Sequence, residues 1–230
     1  MYQPWHRAAP MEAEVVAVTP PGRGHRISEP ALLDFDSYVE SLGTAITAVA
    51  DRPFAFLGHS LGGLIAFEVA RWLRAHSSCG PTHLIVLASA APRCQTAMVW
   101  KRRALLSDDD LEASMSKRYG SLPPVLLANA ELRTLLLSAF RDDLRLAGSY
   151  EYRTDLPLRC PISVLVGRDD STVSAPEVAP WAEETSGKFT VISLPGAHMF
   201  IDSLISEVIR IVWSTVIPRQ DLLVAAEAKR

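Results

Sequence analysis

The sequence is poor in cysteine, has no long apolar stretch and carries no strong excess of charge of either sign. Its three cysteines, Cys79, Cys94 and Cys160, are too few and too widely spaced for a disulfide framework or a CxxC-type zinc site, so we expect a reduced, cytoplasmic protein. No stretch reaches the roughly 18 apolar residues of a membrane helix, and the first residues lack the pattern of a secretory signal, so we expect no membrane partner. A net charge of -3 gives no reason to expect a nucleic-acid partner.

The composition is sufficient for one folded domain. With 230 residues and 48% hydrophobic content, the chain can bury a large core without disulfides or metals, and we assign residues 1–230 to a single domain. The histidines show no HExxH or similar ligand spacing, so we predict no metal site.

Short β-rich apolar runs alternate with longer helical patterns, which is typical of βαβ units around a mostly parallel sheet flanked by helices. The helical patterns Phe35 to Ala50 and Leu64 to Ala75 have apolar residues at three- and four-residue spacing. The predicted strands are Val15 to Val18, Phe54 to Leu57, Leu84 to Leu87, Ile162 to Val166 and Phe189 to Ile192.

The strand signal is interrupted between about residues 99 and 152. Leu, Ala, Arg and Asp dominate this segment, and Pro123-Pro124 breaks its helical pattern, so we predict a helical insertion. The basic run Lys101-Arg102-Arg103 within it has two interpretations, contact with an acidic partner or simple solvation. The tail from about 218 to 230 has helical composition, and we assign it no function.

The segment Gly58-His59-Ser60-Leu61-Gly62 is a G-x-S-x-G motif in an informative context. It follows a predicted strand and precedes a predicted helix, which is the strand, sharp turn and helix order of a nucleophile elbow. Small residues flank such a turn, and Gly62 and Gly63 are expected to let the helix start close to the strand. The motif predicts Ser60 as a nucleophile and the Leu61 backbone N–H as an oxyanion donor.

A nucleophilic serine needs a base, and the base needs a third group that fixes its tautomer. His198 follows the last predicted strand and is the only histidine after position 83. Asp169 and Asp170 both follow the strand Ile162 to Val166, and one of them is also explained by turn capping. We predict the triad Ser60, Asp170 and His198, with Asp169 as the alternative acid.

With these residues in order, the chain resembles the type II thioesterases of polyketide and non-ribosomal peptide biosynthesis, which have an α/β-hydrolase fold. The resemblance runs from residue 2 to about residue 217. The matching segments are Tyr2-Gln3-Pro4-Trp5, Pro21-Gly22-Arg23 with Glu29-Pro30, Gly58-His59-Ser60-Leu61-Gly62-Gly63, Ala90-Ala91-Pro92, Tyr119-Gly120 with Leu122-Pro123, Asp155-Leu156-Pro157, Asp170 with Val173, Trp181, and Pro195-Gly196-Ala197-His198-Met199-Phe200.

The resemblance implies hydrolysis of acyl thioesters on the phosphopantetheine arm of an acyl or peptidyl carrier protein, without a cofactor. It also favours Asp170 over Asp169, and it implies that the insertion forms a lid over the acyl pocket. Two alternatives stay open. One is a carboxylester hydrolase or a product-releasing thioesterase, and the other is an inactive protein that binds carrier proteins.

The family normally begins with an internal strand and a Phe-Pro-His-Ala-Gly-Gly-like loop that supplies a second oxyanion donor, and these precede the match to Tyr2. We therefore expect the natural protein to begin upstream of Met1. Without that strand, the strands at Val15 to Val18 and Phe54 to Leu57 should lie about 9–10 Å apart across an unfilled slot. We also expect residues 1–230 alone to be poorly soluble and nearly inactive.

Overall fold

The computed structural model describes residues 3–120 and 128–217. The predictions made for Leu122-Pro123, for Pro123-Pro124 and for the tail at 218–230 lie outside these residues. Short 3-10 helices cover Gly24–Arg26, Pro92–Cys94 and Ala179–Glu184. The other elements are α1 Gln3–Ala8, α2 Phe35–Val49, β1 Phe56–His59, α3 Leu61–His76, β2 Leu84–Leu87, α4 Ala97–Ala104, α5 Asp108–Tyr119, α6 Ala130–Ser149, β3 Ile162–Gly167, α7 Ala175–Val178, β4 Phe189–Leu194, α8 Phe200–Ser203 and α9 Ile205–Val216.

The strands form one parallel sheet in the order β1-β2-β3-β4. Helices connect successive strands, as a parallel sheet requires. The sheet confirms four of the predicted strands, and β2 has the predicted bounds. The other three end later than predicted, β1 and β4 by two residues and β3 by one, and β1 also begins two residues later.

The predicted strand at Val15 to Val18 is wrong. The segment has no regular secondary structure, and the Val16 and Val18 side chains are 72% and 52% exposed, although Val15 packs on the core. β-branched composition alone does not make a strand when no partner supplies the ladder hydrogen bonds. Since no strand forms at Val15 to Val18, the predicted strand-to-strand spacing from β1 has nothing to be compared with and stays a prediction.

The core lies on both faces of the sheet, because successive strand residues point to opposite sides. In β2, Ile85 and Leu87 pack with α8 and α9, in the same cluster as the buried Trp5 of α1. Leu84 and Val86 pack on the other face, against Phe67 of α3 and Trp181. The sheet is therefore covered by helices on both sides.

Helices α4, α5 and α6 pack around a small core of their own, within the segment predicted as an insertion. Two of them begin at side-chain caps. Ser107 Oγ accepts from the Asp110 N–H at 3.1 Å, and Asn129 Oδ1 accepts from the Leu132 N–H at 3.0 Å. Across the described ranges, none of the helices combines the length and apolar character that crossing a membrane requires.

Candidate active site

Ser60 occupies the sharp turn between β1 and α3 with φ 54° and ψ -120°, a conformation that a residue with a side chain rarely adopts. The turn is held because the Ser60 N–H donates to Leu87 O at 2.8 Å and Ser60 O accepts from the Gly63 N–H at 2.9 Å. Strain of this kind persists only where the surrounding structure fixes it, and it is common at reactive residues.

The glycines of the motif have different roles. A Cβ on Gly58 would lie 2.1 Å from Gly62 O, and one on Gly63 would lie 2.9 Å from Val86 Cγ1, so both positions require glycine for close packing. A Cβ on Gly62 would meet nothing within 4 Å. The steric role predicted for Gly62 is therefore wrong, and Gly58 and Gly63 fill it.

His198 and Asp170 lie together at the carboxyl edge of the sheet. His198 Nδ1 is 2.9 Å from Asp170 Oδ2, and the two side chains are 5% and 1% exposed. Burial raises the pKa of the Asp170 carboxyl, but hydrogen bonds from His198 and Thr172 outweigh it and hold that pKa below its ordinary value. A carboxylate accepts only, so the network assigns the imidazole proton to Nδ1 and leaves Nε2 as an acceptor.

Asp169 points elsewhere. Its Oδ2 accepts from the Gly196 N–H at 3.2 Å, and its own N–H donates to Gly196 O at 3.0 Å. These bonds tie the loop after β3 to the loop after β4. Of the two adjacent carboxylates, Asp169 therefore bonds to the neighbouring loop and Asp170 bonds to the histidine.

Thr172 was missed by the sequence analysis. Its Oγ1 donates to Asp170 Oδ1 at 2.7 Å and lies 2.8 Å from His198 Nδ1, and its N–H donates to the same Oδ1 at 2.8 Å. A hydrogen bond from the N–H of residue i+2 to an Asp side chain is an Asx turn. The sequence Asp170-Ser171-Thr172 could therefore have indicated that Thr172 contacts Asp170. Both oxygens of Asp170 are therefore bonded.

Ser60 and His198 share one cavity, but no hydrogen bond joins them among the contacts of the described residues. Hydrogen bonds of catalytic groups are often longer without substrate and tighten when it binds. Leu61, the first residue of α3, also lines the cavity. Its N–H belongs to the first turn, where backbone N–H groups lack intrahelical partners.

His59 links the elbow to the base loop. Its Nε2 lies 2.9 Å from His198 O, and the two rings meet edge to face at 5.0 Å between centroids. A carbonyl oxygen only accepts, so Nε2 carries the proton. Burial lowers the pKa of His59, which keeps the ring neutral.

The cavity has a volume of about 600 Å³ and opens onto Ser60 and His198. Helices α4 to α6 form one wall, and Tyr119 of α5 lies with its ring 4.9 Å from that of His198. The larger aliphatic and aromatic side chains that line the cavity include Leu61, Leu64, Ile65, Val99, Trp100, Phe140, Leu144, Val173 and Met199. An acyl chain would find mostly apolar surface there.

A second serine–histidine pair lies far along the strands from this cavity. His83 Nε2 is 2.9 Å from Ser163 Oγ, and Ser163 is paired with Ile85 near the amino ends of β2 and β3. Within residues 3–120 and 128–217, His83 has no hydrogen bond to a carboxylate. Since no acid orients it, this pair satisfies a buried strand serine and is not a second reactive centre. In the same ranges, no group of three or more His, Cys, Asp or Glu side chains is placed to hold a metal ion.

A strained serine at a strand–helix elbow, with a histidine–carboxylate pair at the carboxyl edge of a parallel sheet, defines the α/β-hydrolase class and confirms the predicted fold. A family model for the thioesterase domain matches residues 1–215. The chain therefore belongs to the thioesterase family, as the resemblance predicted, and is a thioester hydrolase of the serine type.

Three relatives show its place in that family. The gramicidin S biosynthesis protein GrsT of Aneurinibacillus migulanus is 36% identical over 197 residues, which are 86% of this chain and 76% of that protein. The type II thioesterase BorB from the borrelidin biosynthetic cluster has 31% identity and a TM-score of 0.79, and the match covers 94% of this chain and 84% of that chain. RedJ, a thioesterase from the prodiginine pathway in Streptomyces coelicolor, has 29% identity and a TM-score of 0.82, over 91% of this chain and 84% of that one.

Proposed function

We propose that the protein is an editing thioesterase that hydrolyses acyl groups from the phosphopantetheine arm of carrier proteins in polyketide or non-ribosomal peptide synthesis. Ser60 is the nucleophile, His198 the base and Asp170 the carboxylate that orients the base. The observation that carries the proposal is the buried 2.9 Å contact of His198 with Asp170 in the cavity that Ser60 lines, in a chain of the thioesterase family.

The proton arrangement supports this assignment. With its Nδ1–H donated to Asp170, His198 presents a free lone pair on Nε2. When substrate closes the remaining gap, Nε2 takes the Ser60 hydroxyl proton, and Oγ attacks the thioester carbonyl. The His198 imidazolium then returns this proton to the sulfur as the carbon–sulfur bond breaks, so the pantetheine leaves as a thiol and Ser60 carries the acyl group as an ester.

The carbonyl oxygen carries negative charge in the tetrahedral intermediate. The Leu61 N–H, at the amino end of α3 and on the cavity wall, supports a role as one oxyanion donor. The 16-residue helix behind it favours the same charge through its dipole. Water activated by His198 then hydrolyses the ester and restores Ser60, so each step uses only this chain, its substrate and water.

The partner follows from the substrate, because the thioester is delivered on the arm of an acyl or peptidyl carrier protein. BorB and RedJ belong to natural-product pathways by their descriptions, which supports this substrate class. We further propose a cytoplasmic protein, since Cys79, Cys94 and Cys160 are all free thiols, as a reducing compartment keeps them.

The test compares the wild type with Ser60→Ala on S-acyl-pantetheine and on the matched p-nitrophenyl ester. We expect Ser60-dependent release of thiol, with kcat/KM higher for the thioester than for the ester. Stronger hydrolysis of the ester would favour a carboxylester hydrolase. A folded, full-length wild type that releases no thiol from any acyl-pantetheine, or a Ser60→Ala variant as active as that wild type, would refute the proposal.

A further inference from the structure

Arg118 stands out among the charged side chains of the cavity wall. Asp143 is bound by Arg23 at 2.6 Å, and Glu177 accepts from the Ser174 N–H and hydroxyl at 2.9 and 2.6 Å. Arg118 lines the same cavity, yet no ion pair or side-chain hydrogen bond joins it to another described residue. Its Nε is buried without a hydrogen-bond partner.

A second arginine lies on the same aromatic side chain. The guanidinium carbons of Arg118 and Arg103 are 6.0 and 5.8 Å from the centre of the Tyr119 ring. Arg103 is only 8% exposed, and its single described hydrogen bond, to the Tyr119 hydroxyl, is 3.4 Å long. Solvation therefore does not explain the whole basic run, since its third residue is buried.

These two cations create a positive potential beside the reacting groups, because Tyr119 also contacts the His198 ring. Two acidic residues of α5 are already paired, since Arg133 binds both Asp109 and Glu112 at 2.6 Å. A guanidinium that is partly shielded from water and lacks a counter-ion is costly, and an anion that enters the cavity supplies the missing charge. An acyl chain alone would not.

We propose that Arg118 is a binding residue for an anionic group of the substrate, with Arg103 adding to the positive potential behind Tyr119. This inference rests on the proposed function. The anion is either the phosphate of the pantetheine arm or a carboxylate on the acyl group, and a guanidinium recognises both by charge-assisted hydrogen bonds.

The test uses four thioesters that separate the two sources. S-propionyl and S-malonyl groups, which differ by a carboxylate, are each carried on pantetheine and on 4′-phosphopantetheine. Arg118→Met should raise KM about 10- to 100-fold for the substrates with the recognised anion and leave S-propionyl-pantetheine nearly unchanged. Arg118→Lys should restore much of the loss. Lys117→Met, an exposed neighbour of equal charge, is the matched control.

If KM rises only for the two phosphorylated substrates, Arg118 binds the phosphate of the arm. If KM rises only for the two malonyl substrates, Arg118 binds the carboxylate of the acyl group. An equal change for all four substrates, or no change for any, overturns the inference. The same four compounds titrated into Ser60→Ala and Ser60→Ala/Arg118→Met measure binding without turnover. Arg118-dependent binding by a protein that hydrolyses nothing would leave this inference standing and refute the proposed function alone.

Discussion

Thr172 Oγ1 lies 2.7 Å from Asp170 Oδ1 and 2.8 Å from His198 Nδ1, so a single hydroxyl contacts both the carboxylate and the imidazole. Its one proton is used toward the carboxylate, the stronger acceptor, and its lone pairs then face the Nδ1–H. This arrangement favours the imidazole tautomer that leaves Nε2 free. Thr172 is thus a positioning residue for the base.

Thr172→Val should lower kcat/KM by about 3- to 30-fold and leave KM almost unchanged, because the lost bond acts through His198 and Asp170. Thr172→Ser, which keeps the hydroxyl, should recover most of the activity. The rate of hydrolysis of one acyl-pantetheine, measured over a range of substrate concentrations, gives both kcat and KM. Valine and serine variants with the same kcat would show that the hydroxyl has no such role.

The same substitution has a pH-dependent effect on stability. Because the folded-state pKa of Asp170 is lowered, its bonds contribute stability above its unfolded value of about 3.9, and that contribution is lost as pH falls through the folded pKa. Thr172→Val should therefore be about 1–2 kcal/mol less stable than the wild type at pH 7. Urea unfolding from pH 7 to pH 3 should show that the difference in free energy of unfolding between the two proteins becomes smaller. A constant difference would contradict the assignment.

The neighbouring carboxylates provide a matched pair of variants. Asp170→Asn should reduce kcat by about 10⁴-fold, since an amide cannot hold His198 in the tautomer that accepts a proton. Asp169→Asn keeps an acceptor for the Gly196 N–H and should lower kcat by less than about threefold. Single-turnover hydrolysis and circular dichroism separate chemistry from folding. Equal losses in the two variants would mean that Asp170 is not the orienting acid.

The elbow glycines should differ sharply in their tolerance of alanine. Gly58→Ala places a methyl 2.1 Å from a backbone oxygen that cannot move away, and it should cost about 3 kcal/mol or more or prevent folding. Gly62→Ala meets open space within α3 and should stabilise the protein by about 0.5–1 kcal/mol. Thermal unfolding of both variants tests the contrast, and a destabilised Gly62→Ala would refute it.

His59 should make the protein more sensitive to mild acid. Its folded-state pKa lies below the unfolded value of about 6.5, so as pH falls past 6.5 the unfolded chain takes up a proton that the folded chain does not, and stability falls. His59→Phe keeps a ring but cannot titrate. In denaturant unfolding, the free energy of unfolding of the wild type should therefore fall relative to that of this variant between pH 7 and pH 5. A parallel pH dependence in the two proteins would contradict the lowered pKa.

The sheet was predictable from sequence where strands are buried on both faces. Leu84 to Leu87 is four apolar residues, all fully buried, and its bounds were predicted without error. Val15 to Val18 has similar composition but lacks a neighbour, and a composition pattern carries no information about partners. The parallel arrangement of the strands followed from their alternation with helices, which is a property of the whole chain, whereas the strand order was not predicted.

The candidate nucleophile and base could be proposed from the sequence, but the side chains that support them could not. Ser60 and His198, which the structure places in one cavity, were singled out because strand–turn–helix order and position after the last strand are features of local sequence. Thr172 was missed because its role depends on a histidine 26 residues away. For Arg103, the sequence left contact with an acidic partner and simple solvation as alternatives, since helical periodicity does not reveal that aromatic rings from two other helices contact its guanidinium.

The bond from His59 to the carbonyl of His198 has a mechanical consequence. Ser60 follows β1 and His198 follows β4, so the reacting pair belongs to opposite margins of the described sheet. Strand twist and two intervening strands set their separation, and the His59 bond closes β1, β2, β3, β4 and the base loop into a ring. In such a ring a small displacement of any strand changes the distance between nucleophile and base. The packing of β2 and β3 thus helps to align the proposed nucleophile and base, although no side chain of these two strands lines the cavity.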